Sequence, residues 1–269
     1  GERVVLIAVG KAAPPMARAG LRHLEGRLAG GVILATDDVA LPEAAARVVT
    51  AYRGGHPLPT PEGVRGARAV LRAARAASAE ELPILLLVSG GGSALLTLPA
   101  EGVTLADVRA TTRLLQEAGA WIGSLNAVRK HLDRIKGGRL ARAAAPAPIR
   151  ALDLSDVVGD RLDVIASGPV HPDPTTFGDA LDVLDKFDVR DRIPPSVLRR
   201  LEAGAAGELD ETPGPGEPFF GNVYAEVVGN AGTAAEAAVA EARSRGYESR
   251  LLRTDLTGEA REVGRELGA

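Results

Sequence analysis

Three lysines mark where this sequence could do chemistry. Of its 32 lysine and arginine residues, only Lys11, Lys130, Lys136 and Lys186 are lysines. Arginine is a permanently charged planar fork, whereas lysine is a compact point charge with a tunable pKa, so a lysine kept in an arginine-rich background points to a required role. Lys11 sits in Val9-Gly10-Lys11-Ala12-Ala13, directly after an apolar run, and Pro14 and Pro15 behind it suit the first turn of a helix. A cation there opposes the positive end of the helix dipole unless an anion is also present. Ser89-Gly90-Gly91-Gly92-Ser93 follows another apolar run. Its glycines let backbone N–H groups approach an anion, and Ser89 and Ser93 could add hydroxyl donors. The segment matches neither the G-x-G-x-x-G dinucleotide fingerprint nor the G-x-x-x-x-G-K-[ST] phosphate loop.

Asn126 to Gly138 gathers Arg129, Lys130, His131, Arg134 and Lys136 into one run closed by a glycine pair. Read as a helix capped by Asn126, it places Arg129, Asp133 and Lys136 on one face and Val128, Leu132 and Ile135 on another. His131 reads as a packing or hydrogen-bonding residue. Asp156 and Asp160, in Ser155-Asp156-Val157-Val158-Gly159-Asp160, offer hard oxygen ligands of the kind that hold Mg²⁺ together with substrate phosphates. Aspartate is equally an ordinary turn former. Gly54-Gly55-His56-Pro57 is a further loop that serves either as a rigid turn or as part of a site.

The elements that must position these residues are legible as short apolar runs bounded by turns. Val4 to Val9, Gly31 to Ala35, Arg47 to Ala51, Ile84 to Val88 and Ile149 to Leu154 read as buried parallel strands. Pro61 to Ala79 and Thr104 to Ala118 read as covering helices, the second with a Thr cap and Asp107 at its third position. The fold class is therefore α/β: a Rossmann-like parallel sheet with helices on both faces, followed by the start of a second α/β domain. The Lys11, Gly54–Pro57, Ser89–Ser93 and Ser155–Asp160 segments each fall at the carboxyl edge of a strand, where such sheets bind ligands. Asp156 to Thr176 is a long loop of the functional kind. The Pro- and Gly-rich stretch 207–218 sets the expected boundary, giving residues 1–218 as the first domain and 219–269 as the beginning of the second. That second part is expected to hold strands at Tyr224 to Val228 and Ser249 to Leu252. A unit with so few strands would not be stable alone, so the chain is expected to be incomplete, as the absence of a starting Met also suggests.

Composition excludes several classes. There is no cysteine, hence no disulfide, thiolate metal site or cysteine nucleophile, and the expected compartment is the cytoplasm. No apolar run approaches the ~18 residues that span a bilayer. A formal charge of −3 and 3% aromatic residues argue against general nucleic-acid binding.

Taken in order, Val9 to Ala13, Gly54 to Pro57, Ser89 to Leu95, Asn126 to Leu140 and Ser155 to Pro169 resemble the type II glycerate kinase family over nearly the whole chain. Members of that family transfer phosphate from ATP to D-glycerate, usually at the 2-hydroxyl, in a cleft between two α/β domains. They carry a C-terminal (MOFRL) domain that is largely absent from this sequence. The resemblance implies Lys11 as the catalytic residue, Ser89 to Ser93 as an anion loop, Arg129 and Lys130 as further anion contacts, and Asp156 or Asp160 as Mg²⁺ ligands. It also implies ATP and Mg²⁺ as cofactors and D-glycerate as the small-molecule partner, with neither nucleic acid nor membrane; a homodimer is compatible with it. The alternatives are an oxidoreductase acting on hydroxypyruvate, which lacks a dinucleotide fingerprint here, and a noncatalytic module binding small anions.

Overall fold

The computed structural model describes residues 2–268. Six strands, β1 (Val4–Val9), β2 (Leu28–Ala35), β3 (Val49–Arg53), β4 (Ile84–Ser89), β5 (Ile149–Leu154) and β6 (Val223–Gly229), form one parallel sheet in the order β3-β2-β1-β4-β5-β6. The order reverses between β1 and β4, and the carboxyl ends of these two strands flank the crevice that such a reversal creates. Gly10-Lys11 leaves β1 and Gly90-Gly91 leaves β4 at this point.

Both sheet faces are covered. Helix α1 (Ala13–His23) packs its buried Ala13 and Ala17 near Leu6, Ala8, Ile33 and Leu87 on one face; a short helix, α2 (Glu43–Ala46), precedes β3. On the other face α3 (Pro61–Ala79) lies over Val5, Ile7, Leu34 and Leu86, which alternate with the first set as period-two side chains must. The single turn α4 (Gly92–Leu95) follows the glycine loop. Helices α5 (Leu105–Glu117) and α6 (Ile122–His131) come next, then α7 (Arg139–Ala144), which packs against α3. After β5 and a long loop, α8 (Phe177–Lys186) and α9 (Pro195–Ala205) join α5 and α6 in a second core built on Val108, Leu115, Leu125, Val128, Phe177, Leu184, Val197 and Leu201. Thr104 with Asp107 and Thr176 with Asp179 close capping boxes on α5 and α8, worth about 1 kcal/mol each. Helices α10 (Ala231–Ser244) and α11 (Ala260–Leu267) follow β6. Among the described residues no helix is long and apolar enough to cross a membrane.

Several sequence expectations are corrected. The strand near residue 224 does not open a new sheet: β6 pairs with β5 from Ile149↔Val223 onward and ends the first one. No strand forms at Ser249 to Leu252, because this stretch is held by α10, with Arg243 donating to the Ser249 carbonyl and the Ser249 hydroxyl to that of Val239. Strand β3 begins at Val49 rather than Arg47, which instead ends α2. Asn126 does not cap a helix: α6 starts four residues before it, at Ile122 after an extended Trp121, and stops at His131.

Candidate functional site

A cavity of about 500 Å³ opens between the carboxyl edge of the sheet and the α5–α6 helices. That volume lies in the range of small-molecule sites. The glycine loop forms one wall. Gly91, at φ +85°, accommodates a conformation L side chains rarely adopt, and a Cβ there would lie 3.0 Å from the His56 ring and 3.2 Å from Lys11 Cγ. A side chain at Gly90 would collide with the Asp156 carboxylate. The bare loop thus lets Lys11, His56 and Asp156 close in over it. Among the described residues, the N–H groups of Gly91, Gly92 and Ser93 donate to no other part of the chain. Adjacent unpartnered N–H groups form a concavity suited to an anion.

The loop is held from behind. The Lys11 N–H donates to the Gly90 carbonyl at 2.9 Å, and the Ala12 N–H donates to Ser89 Oγ at 3.0 Å. Ser89 is 1% exposed and does not line the cavity, so its expected place in the anion loop is corrected: its hydroxyl clamps the start of α1 to the end of β4. Ser93 does line the cavity.

Arg129 reaches the cavity from α6, braced by a long 3.5 Å contact from its Nε to Thr112 Oγ1. Burial pulls its pKa below the ordinary guanidinium value. Among the described residues neither Lys11 nor Arg129 has a carboxylate within ion-pair distance. Arg129, largely desolvated and without a carboxylate partner, favours a negatively charged ligand in the cavity; Lys11 lies beside Gly91 but is not among the residues that line the cavity, so its expected place in the site is met only at the edge of the loop.

Lys130 is absent from this site. One residue along α6 from Arg129, it turns away and pairs with Asp173 at 3.1 Å, with both side chains buried. Lys136 is on the floor of the cavity, but its ammonium is spent on Asp133 Oδ2 (2.7 Å), the Leu96 carbonyl (2.6 Å) and Thr97 Oγ1 (3.2 Å). Desolvation lowers the Lys136 pKa and the Asp133 carboxylate opposes that shift. Asp133 also accepts from the N–H groups of Leu98, Ile135 and Lys136, which ends the helix and prevents Arg129, Asp133 and Lys136 from forming the continuous helical face expected of them. His131 is buried, stacked at 4.6 Å on Phe177 and bonded to the Ala127 carbonyl and Glu211, a packing role.

Of the two expected metal ligands only Asp156 lines the cavity. Asp160, at φ +50°, accepts from Asn230 Nδ2 at 2.6 Å and secures the turn to the start of α10. Among the described residues no cluster of three His, Cys, Asp or Glu side chains could hold a metal unaided. Sequence reasoning missed Thr97, Thr112 and Val108 as cavity residues; nothing in their local sequence separates them from ordinary helix and turn positions.

Fold and cavity together define a doubly wound α/β protein with a polar pocket at its switch point. Residues 1–202 match the family described as "Domain of unknown function (DUF4147)", and the chain belongs to that family. It is 40% identical over 264 residues to the D-glycerate 2-kinase of Thermotoga maritima, an alignment covering 98% of this chain and 60% of that protein. It is 38% identical over 267 residues to the glycerate 2-kinase of Pyrococcus horikoshii, covering 99% of this chain and 58% of the relative. A crystal structure of glycerate kinase from Thermotoga maritima superposes with a TM-score of 0.82 at 38% identity, covering 99% of this chain and 61% of that one. The chain thus spans about three fifths of the length of the relatives it matches.

Proposed function

We propose that this chain forms the substrate-binding α/β unit of an ATP-dependent kinase that phosphorylates D-glycerate to 2-phosphoglycerate, working in the cytoplasm. The observation that carries the reading is one cavity that brings Arg129, without a carboxylate partner, together with the bare N–H groups of Gly91 to Ser93, with Lys11 beside Gly91 at the edge of the loop. The similarity to proteins named glycerate 2-kinases supplies the substrate class.

Phosphoryl transfer proceeds through a loose transition state, so catalysis comes mainly from positioning and charge stabilisation. Lys11 extends beside Gly91 and brings a mobile ammonium to the phosphoryl oxygens or the glycerate carboxylate. The loop N–H groups bind the anion from below, and Arg129 binds one from the helical side, regaining in that contact the charge stabilisation that burial removed. Asp156 fits the role of a single carboxylate sharing Mg²⁺ with substrate phosphates, since Asp133 is taken by Lys136 and Asp160 by Asn230. When bound, that ion would neutralise charge building on the transferred group.

Two relatives from Agrobacterium vitis, 37% identical to this chain, are named putative hydroxypyruvate reductases, but among the described residues no structural feature favours that alternative. Helix α1 begins Ala13-Pro14-Pro15, and its two prolines have no N–H to give a dinucleotide pyrophosphate. The test is to assay the full-length gene product with D-glycerate and Mg-ATP while resolving 2- from 3-phosphoglycerate. 2-Phosphoglycerate is the expected product; a folded full-length protein that yields neither ester overturns the reading.

A further inference from the structure

Ser93 faces the cavity, and its hydroxyl meets one other side chain, that of Ser167, at 2.9 Å. Ser167 Oγ also lies 3.1 Å from Asn126 Oδ1, and Asn126 Nδ2 lies 3.3 Å from the Val164 carbonyl oxygen. Ser167 and Asn126 are both buried, at 0% and 2% exposure, so these partners settle where each proton lies. A carbonyl only accepts, so the Asn126 atom facing Val164 must be the NH₂ group and the atom facing Ser167 must be the oxygen. An amide oxygen also only accepts, so the proton of Ser167 goes to Asn126. A hydroxyl carries one proton. Ser167 then has none for Ser93, and the contact between the two hydroxyls is made by Ser93 donating. The opposite polarity would strand the buried Asn126 oxygen without a donor, which is the costlier arrangement.

The relay is built on a rigid support. Ala166, Ser167 and Gly168 all take positive φ (50°, 63° and 57°), a left-handed turn that two non-glycine residues adopt only when their surroundings enforce it. Here the Gly137 N–H donates to the Ser167 carbonyl and the Gly138 N–H to that of Gly168, while Ala166 packs against Gly92 of the loop.

Ser93 therefore turns lone pairs, not a proton, toward the ligand. Building on the kinase reading above, we infer that Ser93 is a specificity residue that accepts a hydrogen bond from a hydroxyl of the acceptor substrate, and that Asn126 and Ser167 are positioning residues that fix this polarity. A carboxylate has no proton to offer Ser93 at neutral pH and a phosphoryl group is mostly ionised there, whereas an alcohol always carries one. The acid group of glycerate is thereby left to Lys11, Arg129 and the loop N–H groups, and a hydroxyl is selected at Ser93. This overturns the donor role expected for Ser93 from sequence.

The experiment uses the full-length gene product. Wild-type protein that makes no phosphoglycerate removes the kinase reading on which the inference rests, before any variant is made. In an active enzyme, Ser93→Ala is expected to raise the KM for D-glycerate roughly three- to tenfold while leaving the KM for ATP unchanged. The two monohydroxy analogues, D-lactate and 3-hydroxypropionate, are then compared as inhibitors; the one lacking the contacted hydroxyl should inhibit wild type and Ser93→Ala equally. Ser167→Ala frees the Ser93 proton and is expected to strengthen inhibition by acetate, an anion that only accepts at neutral pH, with circular dichroism checking that it folds. A Ser93→Ala enzyme with unchanged glycerate KM, with raised ATP KM, or with glycerate and both analogues weakened alike would overturn the inference.

Discussion

Arg129 and Lys130 are neighbours on one helix and have opposite fates. Arg129 stands in the cavity without a carboxylate partner, while Lys130 is sealed against Asp173, just as Lys136 is sealed against Asp133. The contrast separates two uses of positive charge. Arg129 at the cavity and Lys11 beside the glycine loop are left without a carboxylate partner, open to a ligand that supplies the counter-charge. In the sealed region Lys130 and Lys136 each have a counterion, and the charges tie elements together: Lys130 joins α6 to the loop before α8, and Lys136 joins the end of α6 to the Leu96–Thr97 turn.

Breaking a sealed pair should have the largest effect. Asp133→Ala leaves a buried ammonium uncompensated and should cost about 3–5 kcal/mol of folding stability, read by urea unfolding; Lys130→Ala, stranding Asp173, should behave alike. A loss under about 1 kcal/mol for both would erase the distinction between the two regions. Lys11→Ala should do the reverse: turnover of the full-length enzyme falls by about a hundredfold or more, equivalent to roughly 3 kcal/mol, with the unfolding midpoint unchanged. A fall of tenfold or less would take Lys11 out of the catalytic role. Arg129→Ala should weaken substrate binding about tenfold, near 1.4 kcal/mol, measured as a KM change in a protein of normal stability.

The smallest expected effect concerns a charge that belongs to neither group. Asp153 on β5 is 4% exposed with one oxygen unpartnered, and burial raises its pKa to about 6. The unfolded value is near 3.9, so the folded state binds the extra proton between these limits. Its penalty is absent below pH 4, grows between pH 4 and 6, and is complete above. Asp153→Asn should therefore raise folding stability at pH 7.5, by about 1 kcal/mol since a polar group stays buried, and the gain, read by urea unfolding, should vanish near pH 4. A gain that persists at pH 4 would assign the effect to packing.

What the sequence disclosed follows the range of the forces involved. Strands β1 and β5 and the Thr104 helix start rest on local patterns and stand where the sequence places them, whereas the Thr176 start emerged only in the structure. The glycine loop was legible because three successive glycines exceed what a turn needs. The fates of Arg129 and Lys130 were not, because one residue rotates a helix by about 100° and only tertiary packing decides which side meets the cavity. Ser89 misled for a related reason: a serine beside a glycine loop reads as a ligand donor, but its partner, the Ala12 N–H, lies 77 residues away. The separate sheet expected after residue 218 was excluded by the unsatisfied edge of β5, which β6 completes.

The junction of β1 with β4 also sets a timetable. Strand β1 meets β2 early, within a short stretch of chain, but the Ala12–Ser89 clamp and the Ser93–Ser167 relay bridge 77 and 74 residues. Contacts so distant carry a large loop-closure cost and form late. On dilution from denaturant, helical signal should return before any capacity to bind ligand, so partly folded chains would be inert intermediates rather than weak enzymes.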